Sequence, residues 1–396
     1  MQRFRTIIFW IHLAFGVIAA IPILIMSVTG VAVAFESEIL DFIDRDAIRI
    51  EPKEGVEKAT VEELLAEAKE RYPEHEIGSV VIPADPNRVY ELRVPRQQIY
   101  YVDPYERSFE EPPSDGAHDI IHELIVWHRY LGMSGDKREL GKMIGGSFNL
   151  AFLGLILTGL YLWFPRKLAR KAFEAVLFFQ KRQSAKARNF NWHHVIGFWT
   201  LPILAALVIS GSVISFQWAH RLVFTLSGEE VPPGRGTGAI LAVPEAELPE
   251  RAQGDEDDER APLSFAELES MLASAFPERN SIVFEVGQSE GASEGRPVYA
   301  SVMEPAMYAS RGRRAIQLDP YSGEILSSVG YEDRSAGVRA RVFLRFLHTG
   351  EAFGFIGKLI ASIASFGVII LIYTGLALSY HRFFRSRPRT KPTPSE

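Results

Sequence analysis

The chain has 396 residues, with 43 lysines and arginines, 49 aspartates and glutamates, ten histidines, no cysteine and a formal net charge of −6. The lack of cysteine excludes disulfides, thiolate nucleophiles, cysteine-ligated zinc, iron–sulfur clusters and c-type haem attachment. Any metal chemistry must therefore use histidine, carboxylate or methionine. The mean hydropathy is near zero, but the apolar residues are concentrated in a few long blocks.

Four apolar blocks are long enough to cross a membrane, which takes about 20 mostly apolar residues. They cover Thr6–Phe35, Met143–Phe164, Val195–Trp218 and Phe355–Tyr380. None has an acidic or basic residue in its middle. The sequence therefore predicts an integral membrane α-helical protein with four transmembrane helices.

The charges that flank the blocks predict their orientation, because short cytoplasmic flanks are enriched in Lys and Arg. The two terminal flanks and the loop between blocks two and three hold 15 basic and 2 acidic residues, whereas the rest holds 28 basic and 47 acidic. We expect both termini and this loop in the cytoplasm, and the two long segments outside. A cleaved signal peptide ending near Ala32-Val33-Ala34 is the alternative for block one, but its apolar run is about twice the usual length.

The blocks repeat in pairs. His12 and His193 are each followed at the same offsets by a glycine, a hydroxyl–glycine dipeptide and a phenylalanine. Blocks two and four share a Gly-Lys dipeptide, a Thr-Gly dipeptide and an arginine, again at equal offsets. We therefore predict a two-fold internal repeat of span, external module and span. Internal repeats in membrane proteins often place a shared site at the repeat interface.

The two external segments share one pattern. Amphipathic helices are predicted at Val61–Tyr72 and Phe265–Phe276, each followed by strand-like runs. Each segment then ends in an Asp-Pro-Tyr turn, at residues 103–105 and 319–321. Each segment therefore predicts a small α+β module, with one helix on a short antiparallel sheet.

These features divide the chain into eight segments. They are transmembrane helix 1 (1–36), external module 1 (37–117), an approach helix with transmembrane helix 2 (118–165), a basic cytoplasmic loop (166–190), transmembrane helix 3 (191–220), external module 2 with an acidic linker (221–338), transmembrane helix 4 (339–382) and a cytoplasmic tail (383–396). Within module 2, Pro232–Arg260 reads as a linker and Ser289–Arg296 as a hairpin tip.

Histidines near the span ends are the candidate functional residues. A single histidine there is most simply an interfacial anchor, but ionisable groups at membrane depth are functional candidates. His12 and His193 are repeat equivalents near the inner side, and His128 and His348 are equivalents near the outer side. The repetition favours two stacked pairs, one at each membrane face.

Two imidazoles from facing helices suit a bis-histidine haem. Gly16 and Gly197 follow the inner histidines by four residues, on the same helical face, and would let a macrocycle lie close. A zinc or copper site is the competing interpretation, although the usual carboxylates and thiolates are missing from the inner face. Alternate ligands are His122, His194 and His381, and a structural or interfacial role is expected for His75, His118 and His220.

The sequence offers little other chemistry. The glycine-rich run near Gly234 lacks the strand–helix context of a phosphate-binding loop, and nothing favours nucleic-acid binding. Membrane lipid is an expected partner, because topology and anionic lipid explain the basic loop.

These motifs resemble the PepSY-associated transmembrane family, whose members are sometimes described as iron-regulated membrane proteins. The resemblance covers nearly the whole chain. It is carried by the H-x3-G…T-G pattern of the first span, by WHRYLG and LHTGEAFG before the second and fourth spans, by GLYLWFPR, and by the two modules ending in DPY.

The resemblance implies a bacterial inner-membrane ferrisiderophore reductase with two b-type haems and two periplasmic PepSY-like modules. Its motifs map onto His12 and His193 for the inner haem and onto His128 and His348 for the outer. His194 and His381 depart from the family pattern and leave the inner ligands open. The donor would be a quinol or a separate reductase. The alternatives are a non-enzymatic protein that binds or regulates a periplasmic peptidase, and a metal or siderophore permease component.

Overall fold

The computed structural model describes residues 2–53, 55–95, 98–113, 116–165, 169–182, 184–233, 240–248, 261–286 and 296–384. Much of the predicted linker, most of the predicted hairpin tip and nearly all of the predicted tail lie outside these residues. The chain divides into two compact units. The first is drawn from Met1–Glu36, Asp119–Val223 and Phe343–Glu396, and the second from Ser37–His118 and Phe224–Val342.

Twelve helices are numbered in the described part of the chain. They are α1 (Gln2–Ile18), α2 (Ala20–Val33), α3 (Glu36–Ile43), α4 (Val61–Arg71), α5 (Ala117–Tyr130), α6 (Arg138–Trp163), α7 (Arg170–Leu177), α8 (Ala185–Ser215), α9 (Gln217–Ser227), α10 (Phe265–Ala275), α11 (Ala336–Thr349) and α12 (Gly354–Phe384). Shorter helical turns occur at Asp44–Asp46, Gly135–Lys137, Ala309–Gly312 and Glu351–Phe353.

Within the described ranges, eight strands form one antiparallel sheet. They are β1 (Ser79–Pro83), β2 (Tyr90–Arg93), β3 (Ile99–Asp103), β4 (Ser108–Glu110), β5 (Ser281–Phe284), β6 (Val298–Met303), β7 (Arg313–Leu318) and β8 (Ile325–Val329). The strand order is β4-β3-β2-β1-β5-β6-β7-β8.

Three helical stretches in the described residues are long and apolar enough to cross a membrane: Gly135–Trp163, Ala185–Ser215 and Glu351–Phe384. The pair α1 and α2 passes the same test only as a bent span, with 61° between its halves. The predicted single helix over the first block is therefore wrong. Pro22 lacks an N–H, and its ring clashes with the carbonyl four residues earlier, at Ile18, where α1 ends.

The first unit is a helical bundle. In it α12 packs on α8 and α2, while α6 packs on α8 and α1. Its core joins residues of several helices, among them Ile23, Leu204 and Val368. Small residues bring the backbones close: a Cβ on Gly367 would lie 3.0 Å from Thr200 Cγ2. The buried Asn149 amide donates to Val208 O at 2.8 Å, which ties α6 to α8.

The second unit contains both predicted modules. The predicted helices are confirmed as α4 and α10, and each begins with a capping box, Thr60 with Glu63 and Ser264 with Glu267. The Asp-Pro-Tyr turns also form. Asp103 Oδ1 accepts from the Tyr105 amide at 2.7 Å, and the repeat-equivalent aspartate does the same.

The two predicted sheets are joined into one. Strand β1 pairs with β5, and Ile82 lies opposite Ile282. One hydrophobic core contains residues from both halves, including Leu64, Leu92, Leu268 and both of these isoleucines. In separate modules β1 and β5 would each expose an edge of unpaired backbone groups, and the pairing removes both edges.

The shared sheet predicts that both halves of the second unit lose stability together. Ile282→Ala removes a fully buried side chain at the junction and should destabilise the unit by about 2–5 kcal/mol. Hydrogen exchange of the full chain should speed up in β1 and β2 as well as in β5 and β6. Ile325→Ala, on the edge strand β8 where the side chain is 37% exposed, is the control and should cost about 1 kcal/mol or less. Faster exchange confined to β5–β8 would contradict a shared sheet.

Candidate functional site

Two pairs of histidine rings face each other in the first unit. His12 on α1 and His193 on α8, the inner pair, have ring centroids 6.4 Å apart and planes at 90°. His128 on α5 and His348 on α11, the outer pair, have centroids 6.2 Å apart and planes at 47°. The helical bundle therefore brings together the same four histidines that the repeat singled out.

Each histidine is held through Nδ1 by a neighbouring helix. In the inner pair, His12 Nδ1 lies 2.9 Å from Thr158 Oγ1 on α6, and His193 Nδ1 lies 3.0 Å from Thr374 Oγ1 on α12. Both hydroxyls donate their single hydrogen to a carbonyl one turn earlier in their own helices. They can therefore only accept from the imidazoles, so the inner pair carries its protons on Nδ1.

The outer pair reaches the same tautomer by a different acceptor. His128 Nδ1 lies 3.0 Å from Met26 O on α2, and His348 Nδ1 lies 2.9 Å from Leu207 O on α8. A carbonyl oxygen only accepts, so Nδ1 is the donor in both rings. In all four histidines Nε2 is then left with its lone pair. A hydrogen bond of this kind orients a metal-ligating histidine and raises its basicity.

The ring spacing fits a metal between the rings. A metal bound at about 2.0 Å by one nitrogen of each ring would place the two centroids about 6.3 Å apart. The observed 6.4 and 6.2 Å agree with this, and rotation of a ring about its metal–nitrogen bond leaves the spacing unchanged. The spacing is thus compatible with one nitrogen of each ring binding the same metal.

The donor set of each pair fits haem better than a lone ion. Zinc usually takes four protein ligands or keeps three. In the part of the chain that the structure describes, no group of three or more His, Asp or Glu is arranged to hold an ion. A porphyrin supplies four nitrogens itself, so two axial imidazoles complete the iron. Each pair therefore has the residues that a bis-histidine haem needs.

Four glycines make room for the rings. A Cβ on Gly30 would lie 3.0 Å from His128 Cε1, and a Cβ on Gly211 would lie 3.0 Å from His348 Cε1. Gly159 and Gly375 stand in the same relation to the inner pair, at 3.2 and 3.4 Å. Each follows the hydroxyl residue that contacts the same ring. The sequence marked these dipeptides as repeat features but gave them no role.

The two glycines that were predicted to admit a macrocycle, Gly16 and Gly197, do not lie against the histidine rings. A Cβ on Gly16 would meet Leu155 Cδ2 at 3.8 Å, and one on Gly197 would meet Leu371 Cδ2 at 3.6 Å. Both are ordinary contacts, so neither glycine presses on a histidine.

Burial keeps the outer pair neutral. It lowers the pKa of His128 to about 4, with a further contribution from the neighbouring imidazole, and it also lowers the pKa of His348. Both imidazoles are then uncharged near pH 7. The neutral form is the one that can bind a metal.

The pairs lie at different levels of the bundle. On α8, fourteen residues separate His193 from Leu207, whose carbonyl holds His348. At 1.5 Å per residue this is about 21 Å along the helix, a large part of a hydrocarbon core about 30 Å thick. The core residues between the two levels are mainly apolar.

The alternate ligands lie outside the two pairs. The structure sets His193 rather than His194 against the first-span histidine. His194 Nδ1 bonds to Phe190 O in its own helix at 2.8 Å, and its ring lies against Phe190. His122 is exposed on α5, and His381 lies beside a tyrosine at the end of α12.

The remaining histidines occupy separate environments. His118 Nε2 lies 2.8 Å from Asp44 Oδ1, and Tyr101 donates to the other oxygen of this buried carboxylate at 3.0 Å. His75 bonds to a tyrosine hydroxyl, and His220 is fully buried on α9. No local sequence pattern indicated the His118–Asp44 contact, because 74 residues separate the two.

A family model described as PepSY-associated TM region matches residues 9–382. This confirms the family that the motifs indicated. No curated protein matches the chain.

Replacement by alanine should affect stability differently at a glycine that lies against an outer histidine ring and at a glycine in open space. Gly154 on α6 has nothing within 4 Å of its Cβ position, so Gly154→Ala should stabilise the protein by about 0.5–1 kcal/mol through helix propensity. Gly30→Ala should lose that gain, because the new methyl group must displace the His128 ring. Unfolding of the two variants in detergent measures the difference. Equal stabilisation by both would rule out a tight glycine–histidine contact.

The buried carboxylate of Asp44 should contribute more to stability than the exposed carboxylate of Asp46. Asp44→Asn weakens the bonds from His118 and Tyr101 and should lower the stability of the second unit by about 1–3 kcal/mol. Asp46→Asn changes a side chain that is 94% exposed and is the matched control. Thermal unfolding of the full chain compares them, and an Asp44→Asn variant as stable as the control would be inconsistent with the contact.

Proposed function

The chain belongs to the PepSY-associated transmembrane family, and we propose that it is a di-haem reductase of the bacterial inner membrane. It would pass electrons from the cytoplasmic side to a ferric siderophore or another ferric chelate in the periplasm. The observation that carries the proposal is the two facing histidine pairs, each with centroids slightly more than 6 Å apart and each with Nε2 free of its proton.

The proposal assigns one haem b to each pair. Haem supplies one-electron Fe(III)/Fe(II) chemistry when it is bound. The chain's own part is to orient each ring and to keep its proton on Nδ1, which leaves the Nε2 lone pair free. Threonine hydroxyls do this at the inner pair and backbone carbonyls at the outer pair. The glycines beside the rings set how deeply each imidazole sits between the helices.

The level of each pair supports transfer across the membrane. The pairs are separated by about 21 Å of helix, with a mainly apolar core between them. Such a core favours electrons over ions as the species that crosses, because an ion would need polar partners along the way. This supports the reductase over a permease.

The charge pattern and the repeat support a direction of electron flow. Basic flanks favour a cytoplasmic location for both termini and the basic loop, so the inner pair would lie near the donor and both PepSY-like modules would lie in the periplasm. The matched contacts of the two pairs support a two-fold repeat about an axis along the membrane normal. A quinol or a separate reductase would be the donor.

Reduction would release the iron. A siderophore holds Fe(III) far better than Fe(II), so the transfer of one electron to each ferric ion weakens the chelate. The products are Fe(II) and the intact chelator.

The direct test is a reduced-minus-oxidised optical spectrum of the full protein, purified in detergent. The proposal predicts the α-band of a b-type haem that weakens in His12→Ala and in His128→Ala, because each variant loses an axial ligand. His122→Ala and His194→Leu are matched controls that should keep the band. The second copies Leu13, the repeat equivalent of His194. A colourless protein, or an α-band unchanged in the His12→Ala, His128→Ala double variant, would overturn the proposal.

Electron transfer has its own test. Oriented proteoliposomes with a reductant on the cytoplasmic face should form Fe(II) from ferric chelate on the other face, and His128→Ala should abolish it. Chelate uptake without reductant would favour the permease. A colourless protein that binds a periplasmic peptidase would favour the regulator.

A further inference from the structure

The two outer histidines stand on helices that are too short to cross a membrane. His128 lies in the last turn of α5, and His348 lies in the last turn of α11. Each helix has 14 residues, whereas a span needs about 20. The inner histidines lie on α1 and α8, which belong to spanning segments. The height of each outer ring therefore depends on how the end of its short helix is held.

In the first half of the chain, a glycine of the next helix lies against the end of α5. Gly141 is the fourth residue of α6, and a Cβ on it would overlap the carbonyl oxygen of Tyr130. Tyr130 ends α5, two residues after His128. Its carbonyl also accepts from the Met133 amide at 3.0 Å, which closes the turn. Only a residue without a side chain lets α5 end at this place.

The second half of the chain repeats the contact. Gly357 is the fourth residue of α12, and a Cβ on it would overlap the carbonyl oxygen of Gly350. Gly350 lies two residues after His348, and its carbonyl accepts from the Phe353 amide at 3.2 Å. A Cβ on Gly350 would in turn lie 2.7 Å from Lys358 Cα. The two backbones therefore leave no room for a side chain on either glycine.

The contact is the same in both halves although the connecting turns differ in length. Gly141 follows Tyr130 by eleven positions, whereas Gly357 follows Gly350 by seven. One turn conformation therefore cannot produce both contacts. The halves share only the two-residue step from histidine to carbonyl and the glycine at the fourth position of the next helix. This points to a requirement at the histidine rather than in the turn.

Each outer histidine is thus held from two sides. Its ring bonds through Nδ1 to Met26 O on α2 or to Leu207 O on α8, and the backbone just beyond it rests on the glycine of α6 or α12. A carbon and a carbonyl oxygen in contact lie about 3.3–3.6 Å apart, so a methyl group would push the helix end away by about 1 Å. A binding constellation tolerates only about 0.5 Å, so this shift would misplace the ligand.

We propose that Gly141 and Gly357 are positioning residues for the outer histidine pair. Each lets the helix end that carries one histidine approach the following span closely enough for the two rings to share a ligand. This role rests on the proposed function, because the shared ligand is the outer haem. The glycine of each repeated Gly-Lys dipeptide then has a defined task.

Alanine variants test the role in a background that isolates the outer haem. In the His12→Ala, His193→Ala chain only the outer haem should remain. Adding Gly141→Ala or Gly357→Ala should lower its affinity at least about tenfold, as for other changes behind a metal ligand. The remaining ferric haem should change from a low-spin to a high-spin EPR signal, because one axial bond is lost.

Gly145→Ala is the matched control. Gly145 lies one turn further along α6, where its Cβ would meet Leu131 Cγ at 4.0 Å, an ordinary contact. This variant should keep the affinity and the low-spin signal of the outer haem.

A role in general packing would give another result. In the otherwise native chain, Gly141→Ala should leave the inner haem fully bound and low-spin, and this haem also reports that the variant is folded. An outer haem that stays low-spin and tightly bound in both alanine variants would overturn the proposal. So would equal loss of both haems, or failure of both variants to fold.

A measurement without haem separates this inference from the proposed function. In the haem-free chain, the ring nitrogen-15 NMR signals of His128, assigned with His128→Ala, report its hydrogen bond to Met26 O. They should move in Gly141→Ala but not in Gly145→Ala. If the native chain binds no haem, the proposed function fails and this shift still decides the positioning role. If it binds two haems and Gly141→Ala changes neither the EPR nor the NMR signals, the proposed function stands and the positioning role is overturned.

Discussion

The hydrogen bond from each histidine Nδ1 to a neighbouring helix is the interaction on which the candidate centre depends. It decides three things at once: which nitrogen carries the proton, where the ring points and which helices must stay together. His12 ties α1 to α6, and His348 ties α11 to α8. Because a carbonyl or an already donating hydroxyl can only accept, the tautomer follows from the fold. The site is thus preorganised by second-layer contacts of the kind that orient metal-ligating histidines.

In the low-dielectric interior of the bundle, an imidazole left without this hydrogen-bond partner would raise the free energy of the folded state. The same bundle relies on small residues, which let the rings and backbones approach. Gly30 and Gly211 stand against the outer rings, while Gly367 lets α12 approach α8. The outer imidazoles remain neutral because they are buried. Close packing of the helices and room for the histidine rings therefore both require small residues in this bundle.

The sequence predicted the repeated elements well and their junctions poorly. The repeat identified the four histidines because equal offsets from a span end place side chains at equal depth. Helices α4 and α10 followed from their amphipathic spacing. Pro22 and Pro202 were both visible as possible helix breaks, but the sequence could not tell that the first span bends at Ala19 whereas Pro202 is accommodated within α8. The β1–β5 pairing was missed because contacts between distant strands leave no local pattern, and the Asp44–His118 contact was missed for the same reason. The regular recurrence of the hydroxyl–glycine dipeptides was visible in the sequence, but their contact with the histidine rings could be seen only in the folded structure.

The central claim is that each facing pair of histidines binds one haem, and the haem-to-protein ratio tests it most directly. Pyridine haemochrome assay against quantitative amino-acid analysis should give two haems b per native chain. It should give one in the His12→Ala, His193→Ala variant, one in the His128→Ala, His348→Ala variant, and none when all four are replaced. A ratio that stays at two after either pair is removed, or a native chain without haem, would contradict the account.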